Sequence, residues 1–209
     1  MGKVDKMIEI NNVLSKTLFN KLKTYLCSDT VPWYYSDNSA YGPSSLTENI
    51  LTDEERKKYL YHSSFAHLPF ANGSSNSPQS LLFETCVLSA LDKAEVEVEK
   101  LLRIRAGLIL GSPNPVVHAP HVDLEFPHKT ALLYMTSCNG ETLIYNEKCD
   151  FNLKQDMFKQ IQKLNNQFTV KDTIKSEENK LVVFDGAHFH SSSNPSDVSS
   201  RIVLTINFL

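Results

Sequence analysis

The strongest constraint on this chain is a change of hydrophobic period near residue 100. Ahead of it, apolar residues recur at helical spacing. Ser15 can cap a helix carrying Leu18, Leu22, Tyr25 and Leu26 on one face. Thr52-Asp53-Glu54-Glu55 has capping-box form and opens a second short helix toward Leu60. The run from Ala71 to Ser77 reads as a mobile loop. Ser77-Pro78 then supplies a cap and a first-turn proline for a third helix, whose buried stripe is expected at Leu81, Leu82, Thr85, Leu88 and Leu91. Beyond residue 100 the pattern turns to strands, at 101–110, 130–136, 142–145, 181–184 and 201–209, with one inserted helix over 154–164. The expected fold class is α+β, mainly β: helices packed on an antiparallel barrel or sandwich in one domain, with 1–100 as a helical support region and 101–209 as the core.

Composition removes several alternatives. With 41% hydrophobic and 22% charged residues, the chain is neither disordered nor fibrous. A net charge of −3 leaves no electrostatic footprint for nucleic acid and no basic face for anionic lipid. No apolar run approaches the ~20 residues that span a bilayer. The first residues, Met-Gly-Lys-Val-Asp-Lys, carry no signal-peptide core, and Lys6 stands where myristoylation of Gly2 would need Ser or Thr. Cys27, Cys86, Cys138 and Cys149 are scattered, with no C-x-x-C pair. Reduced thiols in a cytoplasmic protein are therefore expected.

Seven histidines are present, and His62, His67 and His128 read as surface or packing residues. His121-Val122-Asp123 is different, because in an extended segment residues i and i+2 project to the same side. Alone this triplet is a weak signal. Downstream lie His188 and His190, following the apolar run Leu181-Val182-Val183-Phe184, and then Arg201 at the head of the last strand. Two imidazoles and one carboxylate can occupy one face of an octahedral ferrous ion and leave three positions open. An arginine fork nearby suits a second carboxylate on a bound acid. Alternation alone leaves both His188 and His190 open as the distal ligand.

These residues, in this order, resemble the iron(II)- and 2-oxoglutarate-dependent dioxygenases, in particular the prolyl 4-hydroxylase-like branch. The resemblance covers roughly 101–209; the front half is similar only in layout. It implies a double-stranded β-helix (jelly-roll, cupin-like) core with the N-terminal helices on one sheet. It implies metal binding by His121, Asp123 and His190, since His190 stands six residues after Phe184, as in the family. His188 is then expected near the pocket mouth, touching substrate or exposed. Arg201 matches the basic residue for the distal carboxylate of 2-oxoglutarate, and Tyr134 matches its tyrosine partner. Some members carry Ser two residues after the arginine; Val203 stands there, and Thr205, on the same face, is counted instead among the cofactor-binding residues. Asn139-Gly140-Glu141-Thr142 is similar to the family's turn before the next core strand. The implied cofactors are Fe(II), 2-oxoglutarate and O2, with ascorbate as a candidate reductant. The implied reaction is hydroxylation coupled to decarboxylation of 2-oxoglutarate to succinate.

Substrate is less specified. A peptide, protein or small molecule is expected, with a prolyl group as one option, and no nucleic acid or membrane. Arg103 and Arg105 alternate onto one face and could meet a carboxylate or a peptide backbone, but a solvated sheet edge is the favoured reading. Trp33-Tyr34-Tyr35 and Tyr41 could rim a groove, though Trp33 serves equally as packing under the first helix. His118 reads as a loop residue rather than a group behind the ligands. Two other classes remain: a cupin-type metalloprotein using His188 and His190 without 2-oxoglutarate, and a non-catalytic jelly-roll binding module.

Overall fold

The computed structural model describes residues 6–36, 63–153, 157–164 and 167–209. In chain order these form β1 (Ile8–Ile10), α1 (Lys16–Leu26), β2 (Tyr34–Ser36), β3 (Ser64–Ala71), β4 (Ser74–Ser75), α2 (Ser80–Lys93), β5 (Leu101–Leu110), β6 (Lys129–Tyr134), β7 (Cys138–Lys148), α3 (Met157–Lys163), β8 (Val170–Ser176), β9 (Leu181–Asp185), β10 (His188–Ser192) and β11 (Ser200–Phe208). The large sheet has the order β1-β9-β6-β11-β5-β3-β2, with β4 paired to β3; the small sheet is β10-β7-β8. Every pairing is antiparallel. From β6 onward the chain passes repeatedly between the two sheets, as a jelly-roll does.

The large sheet is amphipathic in a particular way. One face of β11 presents Ile202, Leu204, Ile206 and Phe208, which join Ile104 and Ala106 of β5, Ala131 and Leu133 of β6, and Leu181 and Val183 of β9. Helices α1 and α2 cover this face with Phe19, Leu22, Leu26, Phe83, Val87 and Leu91. The opposite face meets the small sheet through Leu132, Tyr134, Ile144, Ile174, Val182 and Phe184. The expectation of helices on one sheet of a mainly β core matches this arrangement.

Several local readings differ from the structure. Ser15 does cap α1, its hydroxyl accepting from the Leu18 N–H. In α2 the buried stripe is Phe83, Cys86, Val87, Ala90 and Leu91, while Leu81 is 78% exposed and Leu88 is 45% exposed. The helix is apolar on more than one face. Phe83 decides its rotation, standing edge-on to Tyr25 at 5.9 Å and tilted against His67 at 5.7 Å. The helix starts at Ser80, two residues after Pro78, because Ser77 closes a turn by accepting from the Ser80 N–H. The segment read as a loop from Ala71 is a hairpin: Asn72 and Gly73 both adopt positive φ, the conformation a two-residue turn requires, and join β3 to β4. The helix read at Thr52–Leu60, Tyr41 and His62 lie outside the described residues.

The two readings of α2 separate by mutation. Phe83→Ala is expected to destabilise the fold by about 3–5 kcal/mol. Leu81→Ala should stay within about 0.5 kcal/mol of the parent. Urea unfolding followed by circular dichroism checks both, and a larger loss at Leu81 would overturn the observed packing.

Candidate functional site

His121 lies in the connection between β5 and β6, outside any long strand. It is fixed there by an isolated antiparallel bridge to His190. The His121 N–H donates to the His190 carbonyl at 3.0 Å, and the His190 N–H donates back at 2.9 Å. This pairing brings the two rings to 4.4 Å between centroids. Nδ1 of His121 faces the Ala119 carbonyl at 3.1 Å, and Nδ1 of His190 faces the His188 carbonyl at 3.3 Å. A carbonyl only accepts, so each Nδ1 carries a proton and each Nε2 is the atom turned to the cluster. Burial, with His190 close by, holds the His121 pKa down at about 3, so the ring is neutral and ready to ligate at neutral pH.

Asp123 completes the cluster: its carboxylate and the two imidazoles offer ligand atoms that all lie within 4.8 Å of one another. Oδ2 stands 3.8 Å from His190 Nε2. Bonds of roughly 2.0–2.2 Å from nitrogen and oxygen put three ligands on one face of a divalent ion about 3 Å apart, so one ion fits once the side chains close in on it. The carboxylate is held by a closed network. Arg103 Nη2 donates to Oδ1 at 2.9 Å and its Nε donates to Asn207 Oδ1 at 2.8 Å. Asn207 Nδ2 donates to Oδ2 at 2.9 Å, and the Thr130 hydroxyl donates to the same oxygen at 3.2 Å. Burial alone would raise the Asp123 pKa, but Arg103, His190 and His121 hold it far below the usual carboxylate range.

The second half of the site is built on β11. Arg201, Val203 and Thr205 line a cavity of about 290 Å³ shared with His121, Asp123 and His190. Arg201 is 1% exposed. Its Nη2 donates to Thr142 Oγ1 at 2.7 Å, and the Tyr134 hydroxyl donates to the same oxygen at 3.0 Å. The guanidinium stands 5.6 Å from the Tyr134 ring centroid. Its Nε is buried without a hydrogen-bond partner. Among the described residues no acid forms an ion pair with it, which is a costly state for a buried cation. Gly140 makes room for it, since a Cβ there would come within 3.1 Å of Arg201 Cδ. Thr205 lies opposite Arg105 in the β5–β11 ladder and also lines the cavity. The arrangement thus offers three ligand atoms at one end and an unsatisfied cationic donor at another.

Other expectations need correction. Arg103 and Arg105 are not on a solvated sheet edge. β3 covers that side of β5, and both arginines line the cavity. His188 is not at the pocket mouth. It is 6% exposed, its Nδ1 meets the Tyr145 carbonyl at 2.6 Å, and its ring lies 3.4 Å from Lys171 Nζ in a separate cavity with Lys148 and Asp185. His118 is buried, pinned by Asn194 and Ser192 across the Val117–Ser193 bridge. His67 is a packing residue between Tyr25, Trp33 and Phe83. Trp33 packs against the helix-covered core, while Tyr34 and Tyr35 are exposed on the edge strand β2. Thr142, Thr130 and Asn207 were not singled out from the sequence. Asn207 could have been, because period-2 alternation puts it on the face of Arg201 and Thr205.

No protein-family profile matches the sequence, and no curated protein is similar to it. Solved structures do match in fold. A 2OG-Fe(II) oxygenase family oxidoreductase from Burkholderia pseudomallei aligns with TM-score 0.61 and 9% identity, covering 97% of this chain and 84% of that one. A prolyl hydroxylase from Trichoplax adhaerens, in complex with a peptide fragment of a hypoxia inducible factor oxygen degradation domain, aligns with TM-score 0.55 and 13% identity over 97% and 83%. HygX from Streptomyces hygroscopicus, with nickel and 2-oxoglutarate bound, aligns with TM-score 0.55 and 10% identity over 97% and 82%. The chain therefore has the fold of the 2-oxoglutarate/Fe(II) oxygenases, including prolyl hydroxylases.

Two outcomes follow from this geometry. Thr142→Val removes the acceptor shared by Arg201 and Tyr134 and should cost about 2–4 kcal/mol in urea unfolding, whereas Thr173→Val on the exposed face of β8 should be nearly neutral. Burial lowers the pKa of His67, His121, His128 and His188 from an ordinary value near 6.5. The unfolded chain then binds more protons than the folded one below about pH 6.5, so stability should fall as pH drops from 7 to 5. A flat profile in metal-free protein would contradict the buried, neutral histidines.

Proposed function

We propose that this chain is an oxidoreductase, a dioxygenase that uses Fe(II), O2 and 2-oxoglutarate to hydroxylate an unactivated C–H bond. The substrate would be a prolyl or other residue of a peptide or protein, or a small molecule. One observation carries the reading: a single cavity holds both a His121, Asp123 and His190 ligand cluster and the buried Arg201, whose Nε–H lacks an acceptor. A 2-oxo dicarboxylic acid satisfies both, with its oxo-acid end at the metal and its distal carboxylate at Arg201. Bound in this way, iron(II) supplies the redox chemistry that couples decarboxylation of 2-oxoglutarate, to succinate and carbon dioxide, with insertion of one oxygen atom into the substrate C–H bond.

The chain's own residues have separable tasks. His121 and His190 present their Nε2 atoms, because backbone carbonyls take the Nδ1 protons. Arg103, Asn207 and Thr130 fix the plane of the Asp123 carboxylate before any ion arrives. Arg201 and Tyr134, tied through Thr142, would take the distal carboxylate in a site where water is largely excluded. Thr205 and Val203 shape the wall between the two ends. Ascorbate belongs to the proposal as an external reductant. The fold shared with HygX, which holds nickel and 2-oxoglutarate, and with a prolyl hydroxylase holding a peptide, supports the reading.

Anaerobic addition of iron(II) and 2-oxoglutarate should produce a weak visible charge-transfer band, and succinate should form when oxygen is admitted. His121→Ala or Asp123→Ala should abolish both while circular dichroism stays unchanged. Arg201→Gln should weaken 2-oxoglutarate binding by about 2–4 kcal/mol, and Tyr134→Phe by about 1 kcal/mol. Absence of the band in the parent protein, or unchanged 2-oxoglutarate affinity in Arg201→Gln, would sink the proposal.

A further inference from the structure

Among the described residues, the cavity lining includes three arginines, Arg103, Arg105 and Arg201, and a single acid, Asp123. Two of the cations have counterparts. Arg103 is paired with Asp123, and Arg201 is assigned to the distal carboxylate of 2-oxoglutarate in the function proposed above. With a divalent ion and the dianionic co-substrate in place, the described residues of the cavity still carry an excess of positive charge. Arg105 is left over. Its guanidinium forms no hydrogen bond or ion pair among the described residues, and its neighbour Arg103 adds repulsion. Burial presses its pKa down, which registers the cost of the unpaired charge.

The surroundings show where a counterion would sit. Arg105 leans along the inner face of β5 over Gly107, where a Cβ would stand 2.9 Å from Nη1. Gly107 pairs with Ala66 of β3, and Ser64 lies two residues further along that strand. Ser64 is 2% exposed, lines the same cavity, and its hydroxyl has no hydrogen-bond partner. Diagonal neighbours in an antiparallel pair are roughly 7–8 Å apart, a span that one oxyanion can bridge between a guanidinium and a hydroxyl. A half-buried cation without a paired anion and a buried orphan hydroxyl, facing one space, each favour a ligand that fills it.

We propose that Arg105 and Ser64 form the recognition site for an oxyanionic group, a carboxylate or a phosphate, carried by the substrate itself. The cavity volume favours a compact acid, because about 290 Å³ must also hold the co-substrate. This inference rests on the function proposed above and narrows its substrate class to anionic molecules. The anion would anchor the substrate by a fork-like charge-assisted contact and leave its C–H bond facing the ligand cluster.

The test uses the full chain labelled uniformly with 15N and loaded with zinc(II), a diamagnetic stand-in for iron, and 2-oxoglutarate. The probes are acetate, inorganic phosphate and the neutral isostere acetamide. The Arg105 Nε resonance, assigned from Arg105→Lys, should shift saturably with acetate or phosphate and stay still with acetamide; whichever anion binds tighter identifies the group. The Ser64 amide should titrate in parallel. Arg105→Gln should weaken the probe at least about tenfold, read at Ser64, and Arg105→Lys should keep part of the affinity. Arg105 resonances that ignore both anions, or respond equally to acetamide, would overturn the inference. So would an Arg105 shift caused by 2-oxoglutarate alone. An Arg201 resonance that ignores 2-oxoglutarate would instead overturn the function proposed above, which keeps the two failures distinct.

Discussion

Strand β11 lies between β6 and β5, and everything in the molecule depends on its two faces being chemically opposite. The residues Ile202, Leu204, Ile206 and Phe208 are buried against the helices. The alternate residues Arg201, Val203 and Thr205 line the cavity, and Asn207 reaches the Asp123 carboxylate. A slip of one residue in register would put a guanidinium into the helix-packed core and four large apolar side chains into the polar cavity. The long pairing of β11 with β5 and its pairing with β6 guard against that slip. Stability and site geometry are therefore the same constraint, because the interactions that hold the apolar face in register also set where Arg201 and Asn207 stand.

Charge is distributed along this strand in an ordered way. At the Asn207 end, Asp123 is surrounded by donors, so its ionised form is strongly preferred. At the Arg201 end a cation is buried against a hydroxyl and an aromatic ring, and among the described residues no acid forms an ion pair with it. A protein selected for stability alone would have little reason to bury a cation so. The cost is offset when an anion with the right reach lies between the two ends, which is the physical content of the functional reading. Arg103 matters here for a second reason. By taking Oδ1 it partly neutralises Asp123 and so weakens the pull of that carboxylate on Arg105.

Strong periodicity made the core legible in the sequence. The five strands read from it correspond to β5, β6, β7, β9 and β11, with ends displaced by a few residues. The strands that escaped have physical reasons. β3 carries Pro69, which cannot donate to a ladder, and its register with β5 shifts between His67 and Phe70. β8, with Lys171, Asp172, Thr173 and Lys175, is an edge strand of the small sheet and reads as polar loop. Missing β3 had a consequence beyond itself, because without it β5 looks like an edge and its arginines look solvated. The order of His121, Asp123, His190 and Arg201 was legible because few residue types can ligate a metal or hold a carboxylate with a fork of donors. Thr142 was not, since a threonine in a strand ordinarily signals only β-propensity.

His188 illustrates the limit of alternation more sharply. It and His190 are two residues apart on one strand, so period-2 reasoning treats them alike. What separates them is the partner strand. Opposite β10 the register shifts between the two histidines, so that His188 pairs with Lys148 while His190 pairs with Ile144. The His188 ring is thereby captured by the Tyr145 carbonyl and Lys171, whereas His190 is left facing His121 across a backbone bridge. Irregularity in β7, not the sequence of β10, decides which imidazole meets the carboxylate. Placement of a ligand by a neighbour's bulge is a tertiary property, and it appears only once the two strands are seen paired.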